Sequence, residues 1–123
     1  MANATEEFFD ELGRRGHEPL VARVHGALRF DVTQHGKTDV YRLIIDGGHL
    51  TVSRDPGHAD CVIRVDRAVL DGIVSGRMNA MAALLRGALA AEGDPEMMVI
   101  FQRLMSPPTR ETQRERITTV AGW

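Results

Sequence analysis

The sequence predicts an α+β domain in which a five-stranded, mostly antiparallel sheet carries helices on one face. Two observations support this fold class. Apolar residues recur with a period of two through most of residues 19–66, and with a helical period before and after that segment. Turns that contain glycine separate the period-two runs at short intervals. With 123 residues the chain can form a core, and we expect one domain at 1–106 and a polar tail at 107–123.

The first element is expected to be a short amphipathic helix over residues 2–16. Phe8, Phe9 and Leu12 recur there at helical spacing, and Thr5 is available as a cap. These apolar side chains would form one stripe that packs on the rest of the domain.

Residues 19–34 alternate between apolar and polar side chains, which is typical of a half-buried strand. Gly26 falls on the apolar face and is expected to mark a bulge or bend in so long a strand. The other members of that face are Ala22, Val24, Leu28, Phe30 and Val32.

Three further strands are expected at residues 40–46, 50–54 and 60–66. Because short turns with glycine join all four runs, the pattern predicts an antiparallel meander. The turns are residues 35–37, 46–49 and 55–58.

After residue 66 the period becomes helical. Asp66 is expected to cap a helix that carries Asp71 on its exposed side, and Asn79 to cap a second, shorter one. A fifth strand follows at residues 88–92, and Asp94 with a proline after it starts the last helix. The apolar stripe of that helix is Met97, Met98, Ile100, Phe101, Leu104 and Met105.

The composition and net charge argue against a nucleic-acid-binding or membrane-spanning protein. The net charge of −2 and the pI of about 6.2 leave no strong field for nucleic acid or an anionic membrane. Neither a secretory signal nor an apolar run of membrane-spanning length is visible, so we expect a soluble cytoplasmic protein. Lys37 is the only lysine among 15 basic residues, a usage common in GC-rich bacterial genomes.

No motif for nucleophilic catalysis, phosphate binding or dinucleotide binding is present, and we expect no enzyme activity and no cofactor. Cys61 lies on an apolar strand face and fits a buried hydrophobe better than a reactive thiol. A group of metal-capable side chains fits polar turns better than a metal site, because its spacing fixes no coordination geometry. That group is His49, Asp55, His58 and Asp60.

Methionine is concentrated in the C-terminal half of the chain. Met81, Met97, Met98 and Met105 all fall on predicted apolar faces. Flexible thioether side chains suit surfaces that adapt to varied apolar ligands, but they also fill ordinary cores. The many alanines around residues 80–91 would either leave an internal space or allow close packing.

Several short stretches together resemble the sterol carrier protein 2 (SCP2) family of lipid-binding domains. The first is YRLIIDG at residues 41–47 with LTV at 50–52, and the second is ADCVIRVD at 59–66 followed by Leu70. The third comprises Ser75-Gly76, Asn79, Ala82, Gly87-Ala88-Leu89 and Gly93-Asp94. Their order and spacing cover residues 20–105.

The resemblance implies a twisted sheet and an apolar tunnel between sheet and helices. Members of the family bind fatty acids, fatty acyl-CoA, sterols and other lipids, and the resemblance supplies no catalytic group. We therefore expect a lipid carrier without enzymatic activity. The expected wall of the tunnel is Val24, Leu28, Phe30, Leu70, Ile73, Val74, Met81, Leu84, Leu85, Met97, Phe101, Leu104 and Met105.

Two other functions stay open at this point. The domain could be an interaction module with a core filled by its own side chains, which dimerises or docks on a partner enzyme. Val120 and Trp123 in the tail would then be candidate anchors. The remaining alternative is a small enzyme acting on a lipid-like metabolite.

Overall fold

The computed structural model describes residues 4–105, so the predicted tail at 107–123 lies outside the described residues. Four helices and five strands follow one another in the order expected from the sequence. They are α1 (Ala4–Arg15), β1 (His25–Gln34), β2 (Lys37–Asp46), β3 (His49–Ser53), β4 (Cys61–Asp66), α2 (Arg67–Val74), α3 (Ala80–Leu85), β5 (Leu89–Gly93) and α4 (Pro95–Met105).

The five strands form one mixed sheet in the order β3-β2-β1-β4-β5. The three pairs β1–β2, β2–β3 and β4–β5 are antiparallel, which confirms the mostly antiparallel fold class. The predicted meander is correct for the first three strands and wrong for the fourth. After residues 55–58 the chain crosses the sheet, and β4 pairs in parallel with β1.

The first strand begins later than its alternating pattern predicts. Pro19–Val21 forms a short 3₁₀ helix, and the side chain of Glu18 caps it by accepting a hydrogen bond from the Leu20 N–H. Proline suits the first position of a helical turn because it has no N–H to leave unpaired. Ala22 and Val24 therefore precede the strand instead of belonging to it.

One face of the sheet carries the core, and all four helices contribute side chains to the same buried cluster. The register places Leu28 beside Leu43 of β2 and Cys61 of β4, and Phe30 beside Ile63. Period-two alternation directs these side chains to one side, as the sequence predicts. We call this side the inner face and the opposite, more exposed side the outer face.

Three of the four predicted helix caps are confirmed. The side chains of Asp66, Asn79 and Asp94 each accept a hydrogen bond from a backbone N–H in the first turn of the helix that follows. Thr5, in contrast, lies inside α1 and does not cap it. Among the helices of residues 4–105, none has the length and apolar character needed to cross a membrane.

Candidate functional site

A row of four aromatic rings crosses the layer between the sheet and the helices. Tyr41 of β2 stacks on Phe9 of α1, with ring centroids 4.4 Å apart. Phe9 meets Phe30 of β1 edge to face at 5.0 Å, and Phe30 meets Phe101 of α4 in the same manner at 5.2 Å. All four residues are 2% exposed or less. The row therefore joins the first and last helices across the centre of the sheet.

Most residues expected in an apolar wall lie in this layer. Val24, Val74 and Leu84 are partly buried and pack against the core cluster, and Met81 is half-buried on α3. The side chain of Met105 lies outside the described part of the chain. The fully buried members are Leu28, Phe30, Leu70, Ile73, Met97, Phe101 and Leu104.

Leu85 lies on the surface and is 80% exposed. The buried residues of α3 are Ala80 and Ala83, and Leu85 lies two residues, or about 200°, around the helix from Ala83. Its side chain consequently points away from the layer. The expectation that Leu85 lines an enclosed space is therefore corrected.

Two helices are tied to their neighbours by polar contacts. The carboxylate of Asp71 on α2 accepts hydrogen bonds from the backbone N–H and the hydroxyl of Thr5, at 3.0 and 2.6 Å. Arg67, also on α2, donates to Asp39 of β2 at 2.6 Å although its side chain is only 5% exposed. The sequence pattern placed Asp71 on an exposed helix side, which is wrong, and it gave no signal for Arg67.

Helices α3 and α4 are attached differently. Within residues 4–105, no hydrogen bond or ion pair joins a side chain of either helix to another helix or to the sheet. Apolar packing holds them in place. The buried side chains that provide it are Ala80 and Ala83 from α3, and Met97, Met98, Phe101 and Leu104 from α4.

The start of α4 depends on a junction around Asp60. Its carboxylate accepts a hydrogen bond from the Ala27 N–H at 2.8 Å, and its carbonyl oxygen accepts one from the Asp94 N–H. The Ala27 contact is the main reason that the pKa of Asp60 is lowered, with His58 also favouring the charged form. Gly93 has a φ of +118°, and a Cβ there would overlap the Asp60 carbonyl. This close approach explains the Gly-Asp turn.

Gly26 does not form the expected bulge, because it pairs in regular register with Ile45. A Cβ at this position would lie 3.1 Å from the sulfur of Met97 and 2.9 Å from the Asp60 carboxylate. The missing side chain thus allows α4 to lie close to β1.

The polar candidates show little preparation for catalysis. Cys61 is buried, and burial together with the nearby Asp94 raises the pKa of its thiol, which disfavours the reactive thiolate. His58 lies 3.2 Å from Asp60, and His49 packs its ring against that of His17. In the part of the chain that the structure describes, no group of three or more such side chains is placed to hold a metal ion.

A cleft of about 630 Å³ opens between α1 and the β2–β3 edge of the sheet. Phe9 and Tyr41 of the aromatic row form part of its lining, with Val52 beside them. Arg54 lies over the Tyr41 ring at 4.2 Å. Sequence analysis missed this cleft because its sides come from segments far apart in the chain. The charged residues around it are Glu6, Asp10, Arg14 and Arg54.

Comparison with known proteins agrees with this fold. Residues 9–106 match the model of the SCP-2 sterol transfer family. No match to a curated protein was found. The family match covers all five strands and the last three helices.

Solved structures extend the comparison. The sterol carrier protein domain 2 of Helicoverpa armigera has a TM-score of 0.71 at 16% identity, over 88% of this chain and 92% of that one. Sterol carrier protein 2 of Aedes aegypti, in complex with the C16 fatty acid palmitate, scores 0.66 at 19% identity, over 86% and 97%. The sec-alkyl sulfatase PisA1 scores 0.66 at 21% identity, over 79% of this chain but 15% of that one. At these identities the likeness concerns the fold.

Proposed function

Because the chain belongs to the SCP-2 sterol transfer family, we propose that it binds a lipid and carries it without chemical change. The candidate ligands are a fatty acid, a fatty acyl-CoA, a sterol-like compound or another lipid with a long apolar part. The ligand would lie between the inner face of the sheet and helices α2 to α4. The wall would be the predicted set without Leu85.

The attachment of α3 and α4 carries this proposal. Apolar contacts are not directional, so a lipid chain can replace some of them without leaving a polar group unpaired. Met97 and Met98 add side chains that adopt many shapes at small cost. The polar ties of Thr5 to Asp71 and of Arg67 to Asp39 meanwhile keep α1, α2 and the sheet in place.

The free energy available is consistent with reversible carriage. Burying a sixteen-carbon chain such as palmitate gains about 12 kcal/mol, at about 0.8 kcal/mol for each methylene. The loss of motion on association costs on the order of 4–15 kcal/mol. With the cost at the low end of this range, about 8 kcal/mol remains, which corresponds to micromolar affinity. An apolar wall would discriminate weakly between chains of similar length.

To test this proposal, a larger side chain is placed in the proposed ligand space. Ala83 is fully buried on α3, and Ala83→Leu would place a larger side chain between α3 and the sheet. We expect this variant to keep its fold and to lose palmitate binding, measured by isothermal titration of protein freed of lipid. The matched control is Ala27→Leu, because Ala27 lines a shallow hollow of about 330 Å³ on the outer face. That variant should bind palmitate like the unaltered chain.

The same experiment separates carriage from the interaction module. In a module whose core is filled by its own side chains, the unaltered chain takes up no palmitate. Ala83→Leu would then lower the free energy of unfolding by about 1–3 kcal/mol through overpacking. The observation that favours this second function is the sulfatase PisA1, in which a similar fold occupies 15% of a larger chain. Its partner would be a second copy or an enzyme.

A further inference from the structure

The most exposed large apolar side chain among residues 4–105 lies on α3. Leu85 is 80% exposed, whereas Leu20 and Val99 are each 45% exposed. Met81 and Leu84, on the same short helix, are half-buried. An isolated exposed leucine needs no explanation, but a leucine beside two partly exposed apolar neighbours forms a patch.

This patch is locally cationic in a chain whose net charge is −2. Residues 72–91 contain Arg77 and Arg86 and no acidic residue. A guanidinium nitrogen of Arg86 lies 3.6 Å from the sulfur of Met78, so the charge sits directly against apolar side chains.

The acidic residues that flank this segment are engaged elsewhere. Asp71 accepts hydrogen bonds from Thr5 of α1, and Glu92 pairs with Arg64 at 3.0 Å. Within residues 4–105, no ion pair joins either carboxylate to Arg77 or Arg86. Both guanidinium groups can therefore pair with the anionic groups of a partner.

We propose that this α3 surface, formed by Arg77, Met81, Leu84, Leu85 and Arg86, docks on an anionic lipid bilayer. Arginines interspersed with exposed apolar side chains match the phosphate and acyl regions at the edge of a bilayer. A second copy fits less well, because a two-fold contact would bring the arginines of both copies together. One turn of helix also offers far less than the roughly 800 Å² per partner of a standard interface.

Docking through α3 has a direct consequence for loading, and this step rests on the proposed function. Ala80 and Ala83 of the same helix are fully buried against the proposed lipid space. A bilayer that holds Leu85 would therefore contact the helix that covers the ligand. Helix α3 would then take part both in binding the bilayer and in admitting the lipid ligand.

Vesicle co-sedimentation of the full chain tests the inference. The vesicles are phosphatidylcholine alone, or phosphatidylcholine with an equal part of phosphatidylglycerol. We expect the chain to sediment with the anionic vesicles only, and less so at high salt. Arg77→Gln with Arg86→Gln should weaken this partition by about fivefold for each arginine removed. Leu85→Ser should also weaken binding to the anionic vesicles, at low and at high salt alike, because it removes an apolar contact and no charge.

The controls remove the same formal charge, or one partly exposed apolar side chain, from other regions. Arg14→Gln with Arg23→Gln changes two exposed arginines that lie outside residues 72–91, and Ile44→Ser changes the outer face. Both controls should sediment like the unaltered chain. Failure of the unaltered chain to bind anionic vesicles, or equal losses in controls and variants, would overturn the inference. So would a dimer in solution that Leu85→Ser dissociates.

Palmitate titration without vesicles separates this inference from the proposed function. The α3 surface variants should keep the palmitate affinity of the unaltered chain. Normal palmitate binding without vesicle binding would refute the proposed docking surface and would still support a lipid carrier. If the chain takes up no palmitate but binds vesicles through Leu85, the docking surface would be supported and the carrier function refuted.

Discussion

The contact between Thr5 and Asp71 shows how single polar residues position the candidate site. Thr5 is fully buried, and one carboxylate oxygen of Asp71 satisfies both its backbone N–H and its hydroxyl. The contact joins α1 to α2 across 66 positions of sequence. It holds one side of the apolar layer in a fixed place, whereas within residues 4–105 no side chain of α3 or α4 makes a polar contact with the sheet or with another helix.

We expect Asp71→Ala to lower the free energy of unfolding by about 1–3 kcal/mol for each buried donor that it leaves without an acceptor. Urea denaturation measures this loss. Asp10→Ala, an exposed change on α1, is the control and should be close to neutral. Adding Thr5→Val to Asp71→Ala should recover part of the loss, because the buried hydroxyl is then absent. A cost for Asp71→Ala no larger than that for Asp10→Ala would contradict the anchoring role.

Sequence patterns could not identify this pair. Thr5 looked like a helix cap, and Asp71 looked like an exposed helical residue, because each is read only against its near neighbours. The same limit applies to Arg67 and Asp39, which are 28 positions apart. The helix caps at Asp66, Asn79 and Asp94 were predictable because their partners lie two or three residues away.

At the scale of elements, the helices divide into a tied pair and an untied pair. Side-chain hydrogen bonds hold α1 and α2, whereas α3 and α4 are held by apolar packing and, at the start of α4, by the backbone hydrogen bond from Asp94 to Asp60. Elements held by fewer specific contacts open at lower free energy. The untied pair is therefore the part of the fold that would move to admit a lipid.

Hydrogen exchange tests this division. Without ligand, amides of α3 and α4 should exchange faster than those of α2. Saturating palmitate should slow exchange most in α3 and α4, because side-chain hydrogen bonds already protect α1 and α2 in the absence of ligand. Equal protection of all four helices, unaltered by palmitate, would contradict the division.

The sheet shows where prediction from local signals fails. The strands themselves were predictable from alternation, and so were the two turns that lead from β1 to β3. The turn at residues 55–58 has the composition of a hairpin, yet β4 lies on the far side of β1. The parallel pairing brings Leu28 beside Cys61 and Phe30 beside Ile63, and this match of buried faces is not encoded in any turn.

For the whole molecule, we propose that a lipid would occupy the layer between sheet and helices. The burial of Leu28, Phe30 and Phe101 was predictable because strand and helix periods specify which side chains face inward. The exposure of Leu85 was not, because a six-residue helix shows too few turns to define its inner side. The cleft beside α1 was not predictable either, since it forms only when α1 packs against β2 and β3.

The most direct measurement is native mass spectrometry of the chain purified without detergent, followed by solvent extraction and by titration of the extracted protein with palmitate. We expect a lipid mass bound to the chain, or saturable uptake of one palmitate per chain after extraction. A mass equal to the bare chain, with no uptake of fatty acid, acyl-CoA or sterol, would contradict it.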